Sequence, residues 1–274
     1  MSFTEHNVNG LIFDTSDAIS AAGGAVHAFT TRHGGVSPAP YDSLNFADNK
    51  GDSSENLLEN YRRLGEAVGF DASRAVGCRQ IHSDLVRIAS EEDAGKILWN
   101  GDRPYDADGL ITNVPNLPLF AYGTDCCVIT LYDPTSRSIG AVHAGWRGTA
   151  SGIALKAAVS MMSCYGADPY TLRAAIGPSI GKCCFETDSD VADAFFALLD
   201  PAMDERIENR GDKYHIDLKA INRLWLLRAG IDPSRIDVHP DCTKCRPDRY
   251  WSHRAMGDQR GGMAAMICLT EDAL

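Results

Sequence analysis

The sequence lacks long apolar runs and is short of basic residues. No apolar segment reaches the roughly 20 residues of a membrane span, and the first residues have neither the basic start nor the apolar stretch of a signal peptide. The 274 residues contain 26 Lys+Arg against 37 Asp+Glu, which gives a net charge of −11. Nucleic acids and anionic membranes are bound by basic surfaces. We therefore expect a cytoplasmic protein that binds neither nucleic acid nor membrane.

Repeats, low-complexity segments and Pro/Ser-rich linkers are also absent. Since a single core stops growing at about 250–300 residues, we expect one domain over residues 1–274. Hydrophobic residues make up 44% of the chain and charged residues 23%, which excludes general disorder. Neither G-x-G-x-x-G nor G-x-x-x-x-G-K-[ST] occurs, so dinucleotide and P-loop sites lack their usual motifs.

Cysteine, by contrast, is abundant. The nine cysteines are an odd number, and they include the vicinal pairs Cys126-Cys127 and Cys183-Cys184. A chain of this size does not need a disulfide framework to fold. We predict reduced thiols, some of which serve a metal or a reaction.

Turn residues and apolar periodicity predict strands and helices that mix without strict alternation. Helices are predicted over 54–68, 149–165, 188–199 and 218–229, and strands over 26–31, 85–89, 109–112, 126–132, 139–143, 173–176, 236–239 and 264–269. The first helix is well delimited, because Ser53 or Ser54 can cap it and Gly69 can end it. The mixture favours a layered α/β or α+β fold over a Rossmann repeat.

The strands predicted over 126–132 and 139–143 flank a turn sequence at 133–136, which indicates a hairpin. In such a hairpin Cys126 or Cys127 lies across from His143, with Cβ atoms about 5 Å apart. A thiol and an imidazole at that distance can share a zinc ion or act as nucleophile and base. The alternative is a buried cysteine beside a histidine that bonds to backbone.

The loop after this hairpin, Ala144-Gly145-Trp146-Arg147-Gly148-Thr149, precedes a predicted helix. Free N–H groups and a guanidinium in such a loop suit a phosphate or sugar oxygen. We assign Arg147 to this phosphate or sugar oxygen, with a salt bridge to Asp125 or Asp108 as the alternative. The loop is otherwise an ordinary strand–helix connection with Trp146 in the core. His82, on a loop before a strand, offers a third metal ligand.

Taken in order, several motifs closely resemble the laccase-domain family, also called polyphenol oxidase, purine nucleoside phosphorylase or peptidoglycan editing factor. They are Gln80-Ile81-His82-Ser83-Asp84, Thr124-Asp125-Cys126, Val142-His143-Ala144-Gly145-Trp146-Arg147-Gly148 and Ile176-Gly177-Pro178-Ser179-Ile180-Gly181. The likeness extends to residues 29–37, 41–45, 183–186 and 241–245. It covers nearly the whole chain after residue 25 and leaves 1–25 as a less well matched segment.

The resemblance implies a layered α/β/α fold with a mixed sheet and a zinc ion bound by His82, Cys126 and His143. Three protein ligands leave the fourth position open, as in catalytic zinc sites. Copper can occupy such a site in vitro, since copper(II) binds these ligands more tightly than zinc. The catalytic residues that the resemblance implies are Cys126, His143, Arg147 and Asp108, and the substrate-binding residues are Arg32, Asn45 and Arg147.

The activity that the resemblance implies is phosphorolysis of purine nucleosides (adenosine, inosine, guanosine or methylthioadenosine) together with deamination of adenosine. A copper polyphenol oxidase is one alternative, but multicopper oxidases use His-x-His pairs, and none of the eight histidines lies two residues from another. A second is a cysteine hydrolase that edits peptidoglycan precursors, with Cys126 as nucleophile and His143 as base. A zinc-stabilised interaction protein would need a fourth ligand.

The sequence departs from the family pattern near its C-terminal end. The family usually has Ser-Tyr-Arg-Arg and then Gly-Arg, where this chain has Ser252-His253-Arg254-Ala255 and Gly261-Gly262. Only Arg254 and Arg260 then remain to supply a phosphate or substrate contact from this segment. We predict His215, His239 and His253 to be surface or sheet histidines. Structural thiols are predicted at Cys242-x-x-Cys245, whereas Cys183 and Cys184 are predicted to approach the zinc pocket.

Overall fold

The structure is a computed structural model that describes residues 3–97 and 105–271. Its strands within these ranges form three sheets. They are β1 (Phe3–Val8), β2 (Leu11–Ser16), β3 (Ala25–Thr30), β4 (Val86–Ile88), β5 (Gly109–Thr112), β6 (Leu119–Gly123), β7 (Cys127–Asp133), β8 (Ser138–Ala144), β9 (Arg173–Ile176), β10 (Glu186–Thr187), β11 (Ile207–Arg210), β12 (Lys213–Ile216), β13 (Ile236–Val238) and β14 (Met263–Leu269).

The two larger sheets have the strand orders β1-β2-β3-β14-β6 and β13-β9-β7-β8-β5-β4. The first is antiparallel throughout. The second is mixed, since β4 pairs with β5 and β13 with β9 in parallel while its other pairs are antiparallel. One apolar cluster joins Phe29 and Ile267 of the first sheet to Ile139 and Ala141 of the second. The sheets therefore pack face to face.

Helices cover the outer faces of this pair of sheets. The helices are α1 (Asp17–Ser20), α2 (Ser54–Val68), α3 (Trp146–Ala150), α4 (Ile153–Tyr165), α5 (Ser189–Phe196), α6 (Pro201–Asp204), α7 (Leu218–Arg228) and α8 (His253–Met256). The apolar side of α2 packs on the five-stranded sheet, and α4 and α7 pack on the six-stranded sheet. The predicted layered α/β fold with a mixed sheet is confirmed, and its middle consists of two sheets. Among the described helices, none has the length and apolar content needed to cross a membrane.

Helix α2 has the predicted bounds, and the predicted capping residues explain them. The Ser53 side chain accepts a hydrogen bond from the N–H of Asn56, and Gly69 ends the helix at φ 91°. Leu57, Tyr61 and Leu64 are buried along one face. A serine cap and a left-handed glycine therefore set both ends of this helix.

The prediction of a single helix over 149–165 is wrong. Helix α3 starts earlier, at Trp146, and Gly152 at φ 74° separates it from α4. A residue in the left-handed region interrupts an α-helix, and glycine adopts it without steric cost. A Cβ at Gly152 would lie 3.4 Å from the Trp225 ring, so the break also gives that indole room to pack.

Candidate metal centre and its cavity

Three side chains from separate segments meet at one end of the six-stranded sheet. His82 lies in the loop before β4, Cys126 lies just before β7, and His143 lies in β8. Their ligand atoms all lie within 4.8 Å of one another. The two imidazole rings are 4.9 Å apart between centroids and nearly perpendicular, at 84°. The structure thus brings together the three residues that the sequence predicts as metal ligands.

The hairpin register decides between the two adjacent cysteines. Val128 pairs with His143 and Cys127 with Ala144. Side chains alternate between the faces of a strand, so Cys126, two residues before Val128, falls on the side of His143. Cys127 points the other way, where its thiol donates to Ser179 Oγ at 3.3 Å and burial raises its pKa to about 12. Cys127 is therefore a core thiol and not part of the metal group.

The carboxylate of Asp108 connects the two histidines. Its Oδ1 lies 2.8 Å from His143 Nδ1 and accepts the backbone N–H of His82 at 3.1 Å. Its Oδ2 accepts the N–H and the hydroxyl of Ser83, both at 2.6 Å. Because Nδ1 of His143 is engaged by the carboxylate, Nε2 is the atom available to a metal. Carboxylates in this position fix the tautomer and orientation of metal-bound histidines.

The pKa values of the two imidazoles are shifted in opposite directions. For His143, burial lowers the pKa, but the Cys126 sulfur and Asp108 outweigh it and raise the pKa to about 9. For His82, burial and the charge of His143 lower the pKa. A metal binds neutral imidazole and thiolate, so metal binding here is coupled to proton release.

Two observations show that the residues present fit a zinc ion. Two imidazoles and one thiolate are the N and S donors that zinc prefers, and three protein ligands are typical of a catalytic site. Gly145 supplies the necessary space, since a Cβ there would lie 2.7 Å from His82 Nδ1 and 3.4 Å from Cys126 Sγ. The backbone therefore approaches the ligands as closely as only glycine allows.

A cavity of about 440 Å³ opens onto these ligands. Its volume is within the range of small-molecule sites. Besides the ligands its lining includes Lys50, Tyr122, His253 and Arg260 and the carboxylates Asp48 and Asp258. A larger cavity of about 1390 Å³ lies beside α2, but neither histidine nor cysteine is among its described lining residues. The candidate site is therefore identified by its metal-binding side chains and not by the volume of its cavity.

Arg260 is the most buried cation of this cavity. Its Nη1 donates to the Gly261 carbonyl at 3.0 Å, while its buried Nε has no hydrogen-bond partner among the residues described. Burial lowers its pKa. Because this guanidinium lines the cavity, it is suited to an anionic oxygen there. Sequence reasoning named Arg260 only as one of two remaining arginines.

Other cavity residues were missed or placed differently by sequence reasoning. His253 was predicted as a surface or sheet histidine, and its side chain is about half exposed, at 51%; that it also lines the cavity was not predicted. Lys50, which pairs with Asp258 at 3.1 Å, and Tyr122 belong to no motif that pointed to them. Their presence depends on how distant loops meet, which no local pattern reveals.

Arg147 lies beside the metal ligands without lining the cavity. It is exposed on α3, and its guanidinium stacks over the Trp146 ring at 4.1 Å. Its charge lowers the pKa of His82, which places it within electrostatic reach of that ligand. The alternative salt bridges to Asp125 or Asp108 are not among the ion pairs of the described residues. Its role in phosphate or ribose binding stays a prediction.

The predicted substrate residues Arg32 and Asn45 organise loops behind the cavity. Arg32 donates to the Pro247 carbonyl at 2.8 Å and stacks over Trp251 at 4.0 Å. Asn45 is fully buried, and its Oδ1 accepts the N–H groups of Ala47 and Gly262, both at 2.8 Å. Ala47 and Gly262 line the cavity, whereas Arg32 and Asn45 do not. Direct substrate contact by these two residues stays a prediction.

Four further cysteines form a separate group. Cys183 and Cys184 were predicted to approach the zinc pocket, but the structure groups them with Cys242 and Cys245. The prediction of reduced thiols agrees with the structure, in which all nine cysteines are free.

Comparison with known proteins identifies the family. Residues 26–270 match the family model described as multi-copper polyphenol oxidoreductase laccase. The chain is 36% identical over 255 residues to purine nucleoside phosphorylase YlmD of Geobacillus stearothermophilus, covering 91% of this chain and 92% of that protein. It is 32% identical to adenosine deaminase RL5 of an unknown prokaryotic organism, with coverages of 86% and 91%. The crystal structure of Bacillus licheniformis hypothetical protein YfiH superposes with a TM-score of 0.90 at 30% identity, covering 98% of this chain and 99% of that one. The chain is thus an enzyme of the laccase-domain family.

Proposed function

We propose that this enzyme is a zinc-dependent purine nucleoside phosphorylase that also deaminates adenosine. Its substrates would be adenosine, inosine, guanosine or methylthioadenosine, with inorganic phosphate. The observation that carries the proposal is the grouping of His82, Cys126 and His143 in a cavity that also contains Arg260. The free thiols are those of a protein in a reducing compartment, and we place the activity in the cytoplasm.

In this proposal His82, Cys126 and His143 hold the metal through two nitrogens and one sulfur. Zinc with an open position supplies Lewis acidity and lowers the pKa of water that reaches it. Asp108 keeps the proton of His143 on Nδ1, so that Nε2 stays free for the metal. Gly145 keeps the opposite side of the ligands clear of side-chain atoms.

The cations of the cavity serve the phosphate. In phosphorolysis a phosphate oxygen forms a bond to C1′ of the ribose as the C1′–N9 bond breaks, and the purine leaves with the bonding electron pair and takes up a proton. Arg260 lines the cavity and can offer its guanidinium to a phosphate oxygen, and Lys50 can do so by exchanging its ion pair with Asp258 for the phosphate. In deamination water adds at C6 of adenosine and ammonia leaves, so that reaction needs neither phosphate nor these cations.

The two curated relatives described above support this choice, since one is named a purine nucleoside phosphorylase and the other an adenosine deaminase. A multicopper oxidase needs several histidine-rich copper sites. Within residues 3–97 and 105–271, histidines take part in a metal-capable group only at His82 and His143. This arrangement favours one zinc site over a multicopper centre.

A cysteine hydrolase is the second candidate. His143 contacts both Cys126 and Asp108, which is the order of nucleophile, base and orienting carboxylate in cysteine hydrolases. Metal content and thiol alkylation separate the two functions. A thiolate that ligates zinc is protected from alkylation, whereas the nucleophile of a hydrolase is not.

The deciding experiment combines elemental analysis of protein purified without added metal with a nucleoside screen in the presence and absence of phosphate. We expect zinc, phosphate-dependent release of purine base, and phosphate-independent formation of inosine from adenosine. Cys126→Ala should lose one zinc equivalent and both activities, whereas Cys127→Ala, its neighbour on the other face, should keep both. Nucleoside turnover that persists in Cys126→Ala would refute the proposal. So would stoichiometric copper with oxidation of phenols and no turnover of nucleosides.

A further inference from the structure

Four cysteines outside the catalytic centre converge from two distant loops. Cys183 and Cys184 lie between β9 and β10, and Cys242 and Cys245 lie between β13 and α8. Their four sulfur atoms all lie within 4.8 Å of one another. The Sγ of Cys245 is 3.8 Å from that of Cys183 and 3.4 Å from that of Cys184. This tetracysteine cluster takes no part in the reaction proposed above.

The distances match a metal tetrahedron and not a disulfide. A disulfide joins its sulfurs at about 2.05 Å. Zinc bound to four thiolates at about 2.3 Å has sulfur–sulfur edges of about 3.8 Å, because a tetrahedral edge is about 1.63 times the centre-to-corner distance. The separations of 3.4 Å and 3.8 Å are close to that edge.

We propose that Cys183, Cys184, Cys242 and Cys245 bind a second, structural zinc ion. Four thiolates complete the coordination of zinc, so the site is closed and leaves no position for a substrate. The backbone around it is shaped for this purpose. A Cβ at Gly181 would lie 3.3 Å from the Cys183 sulfur and 3.3 Å from the Cys242 Cβ, so glycine lets the first loop approach the second.

The tetracysteine site joins loops that hold the catalytic ligand Cys126 in place. Thr243, between the two cysteines of the second loop, donates its hydroxyl to Asp125 Oδ1 at 2.6 Å. On the first loop, the N–H of Ile180 donates to the Asp125 carbonyl at 2.8 Å. Asp125 immediately precedes Cys126 and has the unusual φ of 87°. A metal that fixes both loops therefore helps to fix Asp125, and the cluster acts on the catalytic centre by positioning.

Zinc content tests the proposal directly, without depending on activity. Wild-type protein purified without added metal should contain two zinc ions per chain. Cys245→Ser should contain one, and so should Cys126→Ala, which keeps the tetracysteine site. Cys164→Ser is the matched control, because Cys164 is an exposed free cysteine outside both groups and its variant should keep two.

The exposed positions of Cys183 and Cys245 make their serine variants tolerable to the fold, and circular dichroism checks this. Cys183→Ser provides an independent second variant with the same expected loss of one zinc. Thiol labelling adds another readout, since Cys183 and Cys245 should react with an alkylating dye only after a chelator removes zinc, whereas Cys164 should react throughout. The proposal is overturned if Cys245→Ser and Cys183→Ser keep the wild-type zinc content. It is also overturned if Cys126→Ala contains no zinc, or if fresh protein contains iron or a Cys184–Cys245 disulfide in place of the second zinc.

Discussion

Replacing Asp108 with asparagine removes the carboxylate that engages Nδ1 of His143 and the backbone of the His82 loop. One oxygen of Asp108 faces His143, and the other accepts two hydrogen bonds of 2.6 Å from Ser83. An asparagine has only one oxygen for these two sides. If that oxygen stays with Ser83, the amide donates to Nδ1 of His143 and moves the imidazole proton to Nε2, the atom that the metal needs.

The expected size of the effect follows from this exchange. Loss of a residue that orients a metal ligand typically costs 10–100-fold in metal affinity or activity. We expect Asp108→Asn to weaken zinc binding at the catalytic site by about 10–100-fold, and kcat/KM for adenosine deamination to fall by about the same factor when zinc is limiting. Free energy changes of about 1.4–2.8 kcal/mol correspond to these factors.

The assay is a competition titration with a zinc chelator, monitored together with adenosine deamination. Asp106→Asn is the matched control, because Asp106 lies in the same segment but pairs with Arg79 at the surface. Ser83→Ala should fall between the two, since it removes one donor to Asp108 and leaves the His143 bond intact. Zinc affinity of Asp108→Asn within twofold of wild type would refute the argument that this carboxylate orients His143.

Further variants test other parts of the site and of the fold. Arg260→Gln should raise KM for phosphate about tenfold or more, as expected for loss of a charged hydrogen bond, and leave deamination largely intact; equal loss of both activities would contradict a phosphate role. Arg147→Lys keeps the charge but loses the two-pronged guanidinium, so an increase in KM for phosphate would support Arg147, and unchanged kinetics would remove it from the site. Gly145→Ala should lower zinc content, because its Cβ would lie 2.7 Å from His82 Nδ1; full zinc occupancy would show that the loop can shift. Burial raises the pKa of Asp14, but hydrogen bonds from His239 and Arg249 outweigh it, so the pKa is lowered. The ionised carboxylate therefore contributes to stability above about pH 4, and this contribution is lost as the pH falls. The free energy of unfolding in urea should depend less on acid pH in Asp14→Asn than in the wild type.

The sequence predicted those parts of the fold that have local signals. Helix α2 was predicted with its observed ends because Ser53 and Gly69 supply both caps. The hairpin of β7 and β8 was predicted from its turn and its β-branched residues. The helix break at Gly152 was missed, since an isolated glycine in a helical pattern is usually tolerated and only its backbone conformation shows the interruption.

Within the site, sequence reasoning identified those residues that lie close together in the chain or belong to a motif. The predicted hairpin placed either Cys126 or Cys127 across from His143, and the family resemblance named Cys126. The strand register gives the physical reason for that choice, because one residue reverses the face of the sheet. Arg260 was named, yet its burial and its unused Nε depend on packing against loops far away in sequence.

The four-cysteine cluster marks the limit of reasoning from spacing. Cys242-x-x-Cys245 was predicted to supply structural thiols, because a zinc knuckle needs a second half and no second C-x-x-C occurs. The missing half is the vicinal pair Cys183-Cys184, which lies 61 or 62 residues before Cys245 and has no spacing known from zinc motifs. Only the fold, with β9 beside β13, brings the loops that follow these two strands together. A parallel pair places the ends of both strands at the same edge of the sheet, so neighbouring strands can assemble a metal site from cysteines that no linear motif connects.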